Sequence, residues 1–155
     1  MPLPAGAPAP DFELADHLGR AVRLSELRRA SPVVLVFFPL AFSRTCEGEL
    51  CALRDDLEVF AEAGVQLVGV SVDSKFALRA WAEEQGYTFP LLSDFWPHGE
   101  VARAYDAFLD ERGYAARATF VIDVDGVIRG SFATPPGEPR SLDQYREALA
   151  TLASR

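Results

Sequence analysis

The sequence predicts an α/β fold, with a mixed central sheet, helices on both faces and an N-terminal β-hairpin extension. Three observations carry this reading. PVVLVFF (32–38) is a continuous, β-branched apolar run, the mark of a strand covered on both faces. From Ser43 the apolar period becomes helical, and VQLVGVSV (65–72) then repeats the buried-strand pattern. Late in the chain, ATFVIDVDGVIRGSF sets Asp125-Gly126 between two alternating runs, a strong signal for an antiparallel hairpin.

Each element follows from local chemistry. DFELADHLGRAVRL (11–24) alternates apolar residues around a turn at Asp16 to Arg20 and predicts the first hairpin. After strand 32–38, Leu50, Leu53, Leu57 and Phe60 fall at helical spacing, predicting a helix from Ser43 that Gly64 ends. After strand 65–72, Asp73 or Ser74 caps an amphipathic helix, KFALRAWAEEQG, which stops at Gly86. A short TFPLLSD segment and a helix near 97–106 precede the late hairpin. The last helix starts at Ser141, where Gln144 three residues on completes a capping box, and carries Leu142, Tyr145, Leu149 and Leu152 on one face.

At 155 residues, with 49% apolar and 25% charged residues, the chain reads as one globular domain spanning 1–155 with a single core. Its formal charge is -8, with acidic residues and arginines mixed along the length, so it carries no basic stripe for nucleic acid. The N-terminus has no Lys or Arg before residue 20 and lacks the pattern of a secretory signal. The longest apolar stretch, PVVLVFFPLAF, is too short for a bilayer, which needs ~20 residues. A cytoplasmic protein with no membrane partner is the expectation. There, the two cysteines, Cys46 and Cys51, read as redox, catalytic or metal-binding before they read as a structural disulfide.

Right-handed crossovers place the ends of strands 32–38 and 65–72 on one rim, where α/β proteins keep their sites, and Cys46 falls at that rim. It sits in the first turn of a helix, where unpaired N–H groups and the dipole favour an anion. That setting favours the thiolate, the nucleophilic form of cysteine. Ser43 is placed to cap the helix and to offer a hydroxyl beside the sulfur. Pro39 ends the strand without an amide donor and walls the pocket with apolar surface. A thioredoxin-like dithiol oxidoreductase would need Cys-x-x-Cys, and four residues separate this pair. His17, His98 and the cysteines lack the paired spacings of zinc sites.

The element order resembles a thioredoxin-like fold. PLAFSRTC resembles the Pro, three residues, Thr or Ser, two residues, Cys pattern of the peroxiredoxin family, the thiol peroxidases. FFPLAFSRTCEGEL, FPLLSDFWPHG and RATFVID together resemble the alkyl hydroperoxidase E group of that family, from about residue 6 to the C-terminus. The resemblance implies that Cys46 is the peroxidatic nucleophile, Pro39 its shield, Ser43 its hydroxyl partner and Arg117 the arginine that pairs with thiolate and peroxide. It implies a reaction needing no metal, haem or flavin, with hydrogen peroxide and alkyl hydroperoxides as substrates. A thioredoxin-like or glutaredoxin-like protein, or a low-molecular-weight thiol, would be the reductant. Glu49 matches a family glutamate and either holds an arginine or is a solvated helix-face carboxylate. Arg44 reads as a surface residue, and Trp81 and Trp96 as core or pocket-wall packing.

Cys51 departs from the alkyl hydroperoxidase E pattern. C-E-G-E-L-C instead resembles the bacterioferritin comigratory protein group, the Q type, whose resolving cysteine has this offset. Residues five apart in an ideal helix have Cα atoms ~8.7 Å apart on different faces, beyond the ~7 Å limit for a disulfide. Two readings stay open. Either Cys51 resolves a Cys46 sulfenic acid after the helix start unwinds, eased by Gly48, or the enzyme works with one cysteine and an external thiol. One group commonly forms homodimers and the other is often a monomer, so both states are expectations.

Overall fold

A computed structural model describes residues 2–153. Seven strands form the main sheet in the order β2-β1-β5-β4-β3-β8-β9. They are β1 (Glu13–Asp16), β2 (Ala21–Arg23), β3 (Val33–Phe37), β4 (Gln66–Ser71), β5 (Leu91–Ser93), β8 (Arg117–Ile122) and β9 (Ile128–Thr134). β3, β4 and β5 run parallel, whereas β1 pairs antiparallel with β5, and β8 with β3, so the sheet is mixed. The N-terminal hairpin and the hairpin around Asp125-Gly126 form where their turn chemistry places them.

Alternation along β3 divides the core. Val34, Val36 and Phe38 face Leu50, Leu53, Phe60, Leu78, Trp81, Tyr145 and Leu149. These come from α2 (Arg44–Asp55), α3 (Leu57–Glu62), α4 (Lys75–Gln85) and α6 (Leu142–Ala153). Val33, Leu35 and Phe37 face the opposite cluster, with Leu24 of α1 (Leu24–Ala30) and Val101 and Ala102 of α5 (Glu100–Ala104). A strand five residues long and buried throughout is thus sandwiched between helices, as its unbroken apolar run requires.

Three local features differ from the sequence reading. The helix expected from Ser43 to Gly64 breaks at Asp56, whose φ of -118° and ψ of 28° leave the helical region and divide α2 from α3. The helix near 97–106 is confined to α5, because Gly99 at φ 71° precedes it and Tyr105 ends it. α1 and the small hairpin of β6 (Phe108–Leu109) and β7 (Tyr114–Ala115) are too short to leave a clear period. The two tryptophans divide as core and pocket wall: Trp81 is fully buried, whereas Trp96 is 80% exposed and lines surface pockets beside β1.

The caps follow simple chemistry. Ser74, not Asp73, caps α4 by accepting from Ala77 N–H, and Gly86 ends that helix in the left-handed region at φ 72°. At α6 the capping box is reciprocal, Ser141 N–H donating to Gln144 Oε1 and Gln144 N–H to Ser141 Oγ. Among the described residues, no helix is long and apolar enough to cross a membrane.

Candidate active site

β3 and β4 end on the same rim because they are parallel and in register, Phe37 opposite Val70. From that rim Phe38 N–H donates to Val70 O, and the chain turns through Pro39 to Ser43 into α2. The turn is anchored from β4: Asp73 Oδ2 accepts from Ala41 N–H at 2.8 Å and from Ser71 Oγ at 2.6 Å. Phe42 takes a left-handed φ of 66°, sparsely populated for a residue with a side chain, and its ring packs 6.1 Å from that of Trp81.

Ser43 occupies the N-cap position, and its carbonyl accepts the first helical bond from Glu47 N–H at 2.8 Å. Its side chain does not cap the helix, contrary to the sequence expectation. The hydroxyl donates backwards to Leu40 O at 2.9 Å, a local alternative open to serine. Cys46 lies in the first turn, fully buried against the Leu50 and Trp81 cluster, with its thiol free.

Pro39, Leu40, Ser43, Arg44, Thr45, Tyr114, Arg117 and Pro136 line one pocket of about 240 Å³. Three of the five predicted site residues, Pro39, Ser43 and Arg117, therefore share a wall, beside the turn that carries Cys46. Cys46 itself lies beneath that wall and does not line it. Arg44 is exposed at the pocket rim. A wider pocket of about 320 Å³ between Leu14, Phe76, Phe95 and Trp96 has no cysteine in its lining.

Behind the wall lies a buried charge network. Arg117, at the start of β8, donates from Nη1 to Glu49 Oε1 at 2.8 Å and from Nε to Pro136 O at 2.6 Å. Glu49, one turn beyond Cys46, also takes three hydrogen bonds from Arg140: its backbone N–H, Nε and Nη2. Arg140 Nη1 reaches Thr119 Oγ1, and the guanidinium lies within electrostatic reach of Cys46. Burial alone would push the Glu49 carboxyl up; the hydrogen bonds and charge of Arg140, with the charge of Arg117, outweigh it and hold the group below its ordinary range. Glu49 is therefore an ionised carboxylate between two fixed cations, not a solvated helix-face group.

Sequence reasoning missed Arg140. Its one signal was that a buried carboxylate facing a single arginine would leave acceptor sites unfilled, so a second cation was needed. Cys51 lies on a different face of α2 from Cys46, half-buried against α4 and Tyr87. His17 and His98 stand apart from the site, bonded to Leu91 N–H and Gly113 O.

Residues 5–131 match the AhpC/TSA family. The chain belongs to that family. Alkyl hydroperoxide reductase E of Mycobacterium tuberculosis is 46% identical over 98% of this chain and 99% of that one. A chloroplastic 2-cysteine peroxiredoxin of Chattonella marina var. antiqua is 35% identical over 98% of this chain and 80% of its own length. Among solved structures, peroxidoxin BcpB of Mycobacterium tuberculosis superposes with a TM-score of 0.84 at 34% identity, covering 98% of this chain and 97% of that one. The reduced 2-Cys peroxiredoxin of Plasmodium vivax gives 0.86 at 27% identity, covering 99% and 83%. The thioredoxin-like peroxiredoxin fold is thus established, and the protein is a thiol-dependent peroxidase.

Proposed function

We propose that Cys46 is the peroxidatic cysteine and that Pro39, Ser43 and Arg117 form its peroxide pocket. The observation that carries this reading is the shared wall of Pro39, Ser43 and Arg117 at the first turn of α2. The Cys46 thiolate attacks one peroxide oxygen in line with the O–O bond. An S–O bond forms as the O–O bond breaks, and the leaving oxygen takes a proton to become water or an alcohol. Cys46 is left as a sulfenic acid.

Each wall residue has a defined task. Ser43 has committed its proton to Leu40 O, so its oxygen is the acceptor for the peroxide O–H. Arg117 spends Nε on Pro136 and Nη1 on Glu49, and its Nη2 has no protein partner among the described residues. Those Nη2 hydrogens meet the charge that develops on the leaving oxygen. Pro39 presents apolar surface that keeps water from the sulfur. Glu49 and Arg140 act through Arg117 by fixing its plane.

Cys51 is read as the resolving cysteine. It shares the continuous helix Arg44–Asp55 with Cys46, where Cα atoms five residues apart are ~8.7 Å apart, too far to bridge. The start of α2 must therefore unwind before the disulfide closes. Two features weaken that start: the unused Ser43 cap, a bond worth ~1 kcal/mol elsewhere, and Gly48, worth another ~1 kcal/mol relative to alanine. The substrates are hydrogen peroxide and alkyl hydroperoxides. The electrons come from a thioredoxin-like or glutaredoxin-like protein or a low-molecular-weight thiol, in the cytoplasm, with the single domain acting as a monomer or homodimer.

The test is intact mass, after thiol alkylation, of reduced protein given one equivalent of hydrogen peroxide. Loss of two hydrogens with neither thiol alkylated supports the pair. One added oxygen with one thiol alkylated keeps Cys46 but makes the enzyme one-cysteine. Two alkylated thiols with no mass change would remove Cys46 from the reaction.

A further inference from the structure

We propose that Tyr87 is a catalytic residue of the resolving step, its phenol donating to the Cys51 sulfur as that sulfur attacks oxidised Cys46. This inference rests on the reading of Cys51 as the resolving cysteine and adds the groups that activate it and the place where the disulfide forms.

Cys51 is surrounded more closely than a passive helix residue needs. Its Sγ lies 3.3 Å from Tyr87 Oη and donates to Gln85 Oε1 at 3.5 Å. Gln85 spans one helical turn of α2, since its Nε2 donates to Glu47 Oε1 at 2.9 Å while its Oε1 takes the Cys51 thiol. Glu47 also accepts from Trp81 Nε1 at 3.4 Å, and its backbone carbonyl lies 3.5 Å from the Tyr87 hydroxyl. α4 and the residue just after Gly86 thus hold both turns of α2 through one polar cluster.

The two turns are held unequally. Around Cys46 the helix start lacks a side-chain cap and runs into exposed Gly48. Around Cys51 the helix is fixed by buried Leu50 and Leu53 and by Tyr87 and Gln85 from outside. When α2 unwinds, the turn that leaves is therefore Arg44 to Gly48, which costs the three bonds to Glu47, from Trp81, Gln85 and the Tyr87 hydroxyl. Cys46 travels to Cys51, and the disulfide closes in the groove between α2 and α4.

At that point Tyr87 matters chemically. Burial first, then the hydrogen bond and charge of Cys51, push ionisation of the phenol far above its ordinary range, so it stays a donor. Two charged groups of α2 bear on the same phenol: Glu47, which opposes its ionisation, and Arg54, which favours it. The Cys51 thiol loses its proton to solvent, and its thiolate attacks the Cys46 sulfur. The S–S bond forms as the S–O bond of the sulfenic acid breaks, and hydroxide leaves to become water. The Cys51 sulfur is oxidised and the Cys46 sulfur reduced, so no further oxidant is needed.

The experiment is rapid-quench intact mass on wild type and Tyr87→Phe across a pH series. Each is given one equivalent of hydrogen peroxide and trapped with dimedone and an alkylating agent. Phenylalanine keeps the ring contacts with Trp81 and Phe89, and thermal unfolding checks the fold. The expected result at neutral pH is a Cys46 sulfenic acid that persists about tenfold longer, as loss of one hydrogen bond to a charged sulfur implies. The difference should shrink as rising pH ionises Cys51 unaided. A disulfide closing at the wild-type rate, or a slowdown equal at every pH, would overturn the role of Tyr87 while leaving Cys51 as the resolver. Wild type that forms no Cys46–Cys51 disulfide would instead bring down the reading beneath it.

Discussion

Arg140 grips Glu49 through three hydrogen bonds, at 2.7 Å from its backbone and 2.8 Å from Nε and Nη2, and the fourth bond to that carboxylate comes from Arg117. The pocket arginine is thus oriented from α2 and from the loop before α6 at once. Glu49→Gln should lower the rate of Cys46 oxidation by at least tenfold and cost about 3 kcal/mol of stability, because it leaves two buried guanidinium groups short of their counter-charge. Urea unfolding followed across pH checks the electrostatic origin. The folded Glu49 carboxyl ionises below its ordinary value of 4.5, so its stabilisation is present above that pH and is lost as pH falls through the folded value. The stability gap between wild type and variant should therefore close on acidification below about 4.5. A gap that stays constant would show packing, not charge.

Arg117→Ala removes the donors, and Cys46→Ser the nucleophile, that the proposed mechanism assigns to them. The serine variant should be inactive, and the alanine variant should react with peroxide about 100- to 1000-fold more slowly, the scale of losing one preorganised donor to a developing anion. Stopped-flow tryptophan fluorescence under single-turnover conditions measures this directly. An unchanged rate in Arg117→Ala would take the arginine out of the mechanism.

Asp73 links the end of β4 to the loop before Cys46 through Ala41 N–H. Asp73→Ala leaves that amide without its partner and should slow peroxide consumption by about tenfold, corresponding to a lost bond of 1–3 kcal/mol. Asp73→Asn keeps an acceptor oxygen and should recover most of the rate. Equal damage from both would point to the charge instead of the bond.

What the sequence discloses depends on range. Pro39, Ser43 and Cys46 lie within eight residues, so spacing alone sets them around one turn. Arg117 was recognisable only because RATFVID carries a family pattern. Arg140 leaves no such trace: it lies 91 residues from Glu49 in a proline-flanked loop, and only the tertiary fold brings its guanidinium to the carboxylate. The helix break at Asp56 was equally invisible, because Leu53, Leu57 and Phe60 keep a helical period across it. The Ser43 hydroxyl was misread because serine at a helix start can bond either forward to the helix or back to the loop, and local sequence does not choose between them.

Gly48 offers the most direct test of unwinding. It lies between the two cysteines on the exposed side of α2, and a Cβ added there would meet nothing within 4 Å. Gly48→Ala therefore adds helix propensity without a clash, stabilising the wound state by ~1 kcal/mol. If unwinding must precede bond formation, disulfide closure should slow about fivefold, the population change that 1 kcal/mol produces. The Cys46 sulfenic acid should survive correspondingly longer and over-oxidise at lower peroxide concentrations, which intact mass reads as added oxygens. Thermal unfolding supplies the control, since the melting temperature should rise. A higher melting temperature with closure at the wild-type rate would mean that the disulfide forms without melting this turn, and that Cys51, not Cys46, is the residue that moves.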